Sequence, residues 1–183
     1  MKIISTDLKD LFIIQPDVFS DERGYFFESF NEKKFNEKFT HIKFCQDNES
    51  KSSFGVLRGL HYQLPPKAQT KLVRVIKGKV LDVAVDIRKD SPFFGKHFSI
   101  ELSAENRKQL LIPKGFAHGF LVLSEEAILS YKVDNFYDKK LDRGIIFNDK
   151  ELAIDWGINK SKLLLSSKDM KLPLFRDIQV FEH

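Results

Sequence analysis

The chain has 183 residues, 42% hydrophobic and 31% charged, with 30 Lys and Arg against 26 Asp and Glu. That length suits a single domain over 1–183 with a sizeable core, and such polarity at modest net charge excludes intrinsic disorder. A formal charge of +4 is too small to announce nucleic acid, the lone Cys45 excludes an intramolecular disulfide framework and points to a reducing cytoplasm, and no apolar run approaches the ~20 residues of a membrane helix.

In chain order, short strands are predicted at 11–14 and 25–30, the second entered through the turn Asp21-Glu22-Arg23-Gly24. Asp7 and Asp10 interrupt any signal-peptide core ahead of them. Asn31 is placed to cap a short helix whose Phe35 and Phe39 stand four apart. Strands at 72–76 and 81–87 follow, joined by Lys77-Gly78-Lys79, which reads as a hairpin turn. In the second of these, Leu81, Val83, Val85 and Ile87 alternate with Asp82, Ala84, Asp86 and Arg88, a period of two that sets one aliphatic face. Further strands are predicted at 97–102, 109–112, 119–123 and 127–133, with a turn or two of helix at 149–154. Pro65-Pro66 and Ser91-Pro92 punctuate the series. Many short strands so spaced predict a mainly β fold, a jelly-roll-like barrel or sandwich with few helices. The 18 Phe are expected to fill that barrel and a subunit interface.

Charge is uneven. Between Glu49 and Asp82 there is no acidic residue, while Lys51, Arg58, Lys67, Lys71, Arg74, Lys77 and Lys79 contribute seven positive charges, leaving the rest of the chain at −3. A local basic excess suits an anionic ligand. Lys77 and Lys79, flanking a turn, are better explained as a solvated strand edge. Arg58, within Val56-Leu57-Arg58-Gly59-Leu60, is the stronger candidate for a phosphate. Aromatic residues near the window are not interleaved as a base-stacking platform, which argues against nucleic acid.

Five histidines are present. His41 and His97 sit in polar, surface-like sequence, and His183 is terminal and expected to be disordered. His61 and His118 lie among glycines and apolar residues, where an imidazole is partly desolvated. Taken alone, either is better explained as a hydrogen-bonded core histidine.

The run Pro113-Lys114-Gly115-Phe116-Ala117-His118-Gly119 resembles the second motif of the cupins, small jelly-roll barrels. Metal-binding cupins supply His-x-His and a Glu from an earlier strand pair. Here that place reads His61-Tyr62-Gln63, so a bound metal is not expected. The resemblance then becomes specific. Phe19-Ser20-Asp21-Glu22-Arg23-Gly24-Tyr25-Phe26-Phe27-Glu28, Gln46-Asp47-Asn48-Glu49-Ser50, Gly55-Val56-Leu57-Arg58-Gly59-Leu60-His61-Tyr62-Gln63, Gln69-Thr70-Lys71-Leu72-Val73-Arg74, the 78–86 strand, the His118 motif, Tyr131-Lys132 and Leu165-Ser166-Ser167-Lys168-Asp169 occur in order between about residues 10 and 175. Together they resemble the dTDP-4-dehydrorhamnose 3,5-epimerases, cofactor-independent sugar-nucleotide enzymes of cupin-like fold.

That resemblance implies removal of a proton beside a ketone and its return on the opposite face, at C3 and C5 of dTDP-4-dehydro-6-deoxy-D-glucose, in dTDP-L-rhamnose and surface-polysaccharide synthesis. It makes His61 the base, Asp169 its carboxylate partner, Tyr131 the acid and Lys71 the cation beside the C4 oxygen. Arg23, Glu28, Gln46, Asn48, Arg58, His118 and Lys168 hold the ligand by the same resemblance, and Arg23 and Arg58 meet the diphosphate. Phe26 and Tyr137 are candidates to stack on the thymine, although a core role suits Phe26 as well. An arm within about residues 1–30 carries Arg23 and Glu28 to a neighbouring subunit, which implies a homodimer. One departure is Asp142 in Asp142-Arg143-Gly144, where the family usually has a Glu one methylene longer. A single-centre epimerase is the nearest alternative, with a metal-dependent cupin enzyme or a non-catalytic sugar-binding module further off.

Overall fold

The computed structural model describes residues 1–181, and His183 lies outside them. Two antiparallel sheets face one another. The first is six-stranded, in the order β1 (Lys2–Ser5), β2 (Phe12–Gln15), β10 (Gln109–Ile112), β7 (Lys71–Lys77), β12 (Glu126–Val133), β5 (Gln46–Ser53). The second is five-stranded, in the order β13 (Asp142–Gly144), β6 (Leu57–Gln63), β11 (Phe116–Val122), β8 (Lys79–Asp86), β9 (His97–Ser103). A separate hairpin of β3 (Phe19–Asp21) and β4 (Gly24–Phe26) stands apart from both. The architecture is mainly β and jelly-roll-like, with facing sheets in place of a hydrogen-bonded closed ring. No helix among the described residues is long and apolar enough to cross a membrane.

The interior between the sheets takes Val73, Val75, Leu110, Ile112, Ala127 and Leu129 from the first sheet and Val80, Ala84, Leu102, Phe116, Phe120 and Val122 from the second. Each outer face is covered as well. Leu57, Val83, Val85, Ile87, Ala117 and Leu121 pack beneath Ile145, Leu152, Trp156, Phe175 and Phe181 of the C-terminal segment. Ile14, Leu72 and Leu111 pack beneath Phe35, Phe39 and Ile42 of the α1 region. Helix α1 (Glu32–Asn36) begins at Asn31, whose side chain accepts from the Lys34 N–H as predicted. Phenylalanine therefore concentrates differently from expectation. Only Phe116 and Phe120 belong to the buried interior, while Phe12, Phe30, Phe35, Phe39 and Phe44 gather outside the first sheet.

Several strand expectations are corrected. Lys77-Gly78-Lys79 does not close a hairpin: β7 and β8 belong to different sheets, and the chain crosses between them at Gly78. Gly78 has φ +73°, and a Cβ there would stand 2.0 Å from the Glu126 carbonyl oxygen. The aliphatic row of β8 shares a face as expected, and the opposite row is buried too. Asp82 and Asp86 have no exposed surface, because that row faces the interior, where Asp82 meets His118 and Asp86 meets Arg88. The predicted strand 25–30 ends at Phe26. The predicted helix at 149–154 is a turn, with the Asp149 carboxylate accepting from the Glu151 and Leu152 N–H groups. His41 is exposed as expected, but His97 is half-buried.

Candidate active site

A cavity of about 530 Å³ opens between the sheets, and a second of about 350 Å³ adjoins it through the shared residues His61, Lys71, Tyr131 and Lys168. The five-stranded sheet supplies Arg58, His61 and His118 to the first cavity, and the six-stranded sheet supplies Ser50, Lys71, Leu129 and Tyr131. The segment Leu164 to Asp169 adds a third wall. The second cavity brings in Gln46, Asn48, Gln63, Gln69, Tyr137 and Asp142.

Arg58 and His61 stand three apart, which in a regular strand would set them on opposite faces. The pairings His118 with His61 and Phe120 with Arg58 show one extra residue on β6, and this irregularity returns both side chains to the cleft. Gly59 sits at that point with φ +132°. A Cβ there would approach Gly119 Cα to 2.5 Å, so only glycine allows the two strands so close.

His61 Nε2 lies 2.8 Å from Asp169 Oδ1 in ion-pair contact, without the alignment of a full hydrogen bond, and His61 Nδ1 is buried with no partner. Burial would raise the Asp169 carboxyl, but His61, Ser166 and Lys168 outweigh it and hold the group below its ordinary range. Beside this pair, His118 Nε2 lies 3.0 Å from both carboxylate oxygens of Asp82. Lys71 is 9% exposed, and its Nζ donates to the His61 carbonyl at 3.3 Å. Burial pulls its ammonium down to about 8, while the Asp142 and Asp82 carboxylates pull the other way. Burial raises the Tyr131 phenol, with Arg58 opposing and Asp142 adding, so it stays protonated near neutrality. Asp142 Oδ2 accepts from Tyr137 Oη at 3.0 Å and Lys168 Nζ at 2.5 Å.

The family model described as dTDP-4-dehydrorhamnose 3,5-epimerase matches residues 5–177. The chain belongs to the dTDP-4-dehydrorhamnose 3,5-epimerase family. It is 55% identical to the Shigella flexneri dTDP-4-dehydrorhamnose 3,5-epimerase over 182 residues, covering 99% of each chain. Among solved structures, the Elizabethkingia anophelis epimerase of the same name is 56% identical with a TM-score of 0.92, over 97% of each chain. The Legionella pneumophila dTDP-6-deoxy-D-glucose-3,5-epimerase, solved with dTDP-4-keto-L-rhamnose, is 45% identical with a TM-score of 0.95, over 100% of this chain and 98% of that one.

Within this epimerase fold the cleft gathers His61, Lys71, Tyr131, Asp169, Gln46, Asn48, Arg58, His118, Tyr137, Asp142 and Lys168. Arg23, Phe26 and Glu28 line neither cavity. Arg23 is bound to Asp21 on the exposed hairpin, and Glu28 pairs with Lys34 near α1. Phe26 is 66% exposed, which removes the core reading within one chain. The basic window divides as its two explanations suggested. Lys51 and Lys77 both reach Glu126 at the surface and Lys79 approaches Glu101, whereas Arg58 and Lys71 face the cleft. Sequence reasoning missed Asp82 as the partner of His118, and Gln63 and Ser50 as cleft residues. Asp82 and Gln63 each stood in a quoted motif without a role, and only their neighbours across the strands reveal one. Among the described residues no three His, Cys, Asp or Glu side chains gather to hold a metal ion.

Proposed function

We propose that this chain inverts C3 and C5 of dTDP-4-dehydro-6-deoxy-D-glucose to give dTDP-4-dehydro-L-rhamnose. The observation that carries the reading is the placement of base and acid on facing walls: His61 stands on β6 of one sheet and Tyr131 on β12 of the other, with one cavity between them. Inversion needs a proton taken from one face of the sugar and returned on the other. His61, which lines the cavity, takes the proton α to the ketone, and the ionised Asp169 beside its ring stabilises the imidazolium that results. The electron pair left on carbon moves into the ketone, and the Lys71 ammonium offsets the charge on the enolate oxygen. Tyr131, kept protonated by burial, returns a proton to carbon from the opposite wall. Arg58 answers the diphosphate with a planar fork, and Gln46, Asn48, His118, Lys168 and Tyr137 hold sugar and base.

Incubation with the substrate in D2O, read by NMR, tests this directly. Deuterium is expected at both C3 and C5; label at one carbon only means a single-centre epimerase, and label at neither overturns the assignment.

The chain reads as one domain whose protruding part is the β3–β4 hairpin, since β1 and β2 are paired into the six-stranded sheet. Phe19, Tyr25 and Phe26 on that hairpin are exposed. In a homodimer with exchanged hairpins they are covered, and Arg23 and Glu28 reach the partner's cleft. Mixing Arg23→Ala with His61→Ala subunits is then expected to restore activity, because one site per mixed dimer is intact. No recovery in mixed dimers verified by mass refutes the exchange.

A further inference from the structure

Tyr137 is 56% exposed, yet the backbone on both sides of it is tied by hydrogen bonds. Gln63 is buried at 5% exposure, and its amide is fully used on this task. Its Oε1 accepts from the Asp138 N–H at 2.6 Å, while its Nε2 donates to the Phe136 carbonyl at 3.3 Å and the Lys67 carbonyl at 2.6 Å. One side chain thus grips the backbone immediately before and immediately after Tyr137. Asn135 adds to the seam, its amide donating to the Pro66 and Ala68 carbonyls at 3.3 and 3.2 Å. Asp142, opposite Gln63 in the β13–β6 register, takes the Tyr137 hydroxyl.

Surface loops with a projecting aromatic ring are ordinarily mobile, and ordering such a ring on binding costs affinity. Here that cost is met in advance by hydrogen bonds. The strand that carries His61 also carries the amide that fixes the ring two residues further on.

We infer that Gln63 is a positioning residue for nucleotide binding: by bracketing Tyr137 it holds that ring ready for the planar base, on the same rigid strand as the base His61. The inference rests on the reading that Tyr137 stacks on the nucleotide, and it explains why an amide stands where metal-binding cupins place a second histidine. Gln63 then acts on affinity and leaves the proton-transfer step alone.

Calorimetry with dTDP alone, paired with steady-state kinetics, separates the possibilities. Tyr137→Leu is expected to weaken dTDP binding about tenfold or more, the size of a lost base–aromatic stack. Gln63→Met, similar in volume but without donor or acceptor, is expected to weaken it by a similar factor and to raise KM with kcat changed less than about threefold. The double variant is expected to bind no worse than Tyr137→Leu, since the two act through one ring. If Tyr137→Leu binds dTDP normally, the stacking reading falls and this inference with it. If Tyr137→Leu weakens binding while folded Gln63→Met does not, or if the two losses add in full, the stacking reading stands and the role of Gln63 falls. Should Gln63→Met fail to fold, Asn135→Ala loosens the same loop from its half-exposed side. A raised KM at constant kcat then supports the preset ring, and unchanged dTDP affinity overturns it.

Discussion

Two histidine–aspartate pairs, His61 with Asp169 and His118 with Asp82, present their imidazoles from the adjacent strands β6 and β11, and they are built differently. Asp82 lies within the second sheet without exposed surface, and His118, 7% exposed, is held against both of its oxygens. Asp169 arrives instead from the C-terminal segment, at the start of a short turn after Ser166, and touches His61 through one oxygen. The His61 side chain keeps more open surface, 27% against 8% for His118. The lesson is that the same two side chains are closed from solvent when both belong to one sheet, and keep an open face when one of them is brought by a separate segment.

The largest effect expected is on the open pair. His61→Ala is expected to reduce both deuterium washout and epimerisation by about 10³-fold or more, with circular dichroism and melting temperature close to those of the parent. Comparable turnover in that variant removes the distinction between the pairs. Tyr131→Phe, on the facing wall, is expected to lower epimerisation about 10²-fold while washout falls much less, because His61 still takes the proton. Equal loss of both rates assigns the acid elsewhere.

The third prediction uses the lysine between the pairs. Lys71 is useful while protonated and its ammonium titrates at about 8, so kcat/KM is expected to fall as pH rises through that value. Lys71→Met is expected to remove that alkaline limb. The Asp82 carboxylate favours the charged form of Lys71, so Asp82→Asn is expected to shift the limb to lower pH. An unmoved limb separates Lys71 from the closed pair. The smallest expected effect on chemistry comes from Asp82→Ala. It is expected to cost about 1–3 kcal/mol of stability in urea unfolding, by leaving a buried imidazole without its partner. Loss of turnover as deep as in His61→Ala makes the closed pair catalytic.

Legibility in the sequence followed water. The outer row of β8 was readable because Leu81, Val83, Val85 and Ile87 alternate against a dry covering layer. Strand β5, Gln46-Asp47-Asn48-Glu49-Ser50-Lys51-Ser52-Ser53, carries no hydrophobic residue and was not predicted, since much of its inner face lines a wet cleft. The inner row of β8 had no assignment from the alternation: Asp82 and Asp86 are buried there because partners neutralise them, and only the tertiary structure supplies those partners. At Lys77-Gly78-Lys79 the expected hairpin turn is a bend that carries the chain from one sheet to the other, because a glycine between two strands does not specify which strand lies alongside. Residues of the site were readable only as an ordered set of motifs. His61 or Tyr131 in isolation is indistinguishable from a satisfied core residue.

The sequence by itself determined the mainly β class, the capped helix at Asn31, the local basic excess and the identity of the groups available for proton transfer, because each depends on residue type and short-range spacing. Tertiary structure alone decided that His61 and Tyr131 face each other from different sheets, that Asp82 meets His118, and that Gln63 holds the loop of Tyr137. These are contacts between segments far apart in the chain, fixed by which strands pair and by one extra residue on β6 that turns Arg58 and His61 to the same side. Local propensity carries no record of either.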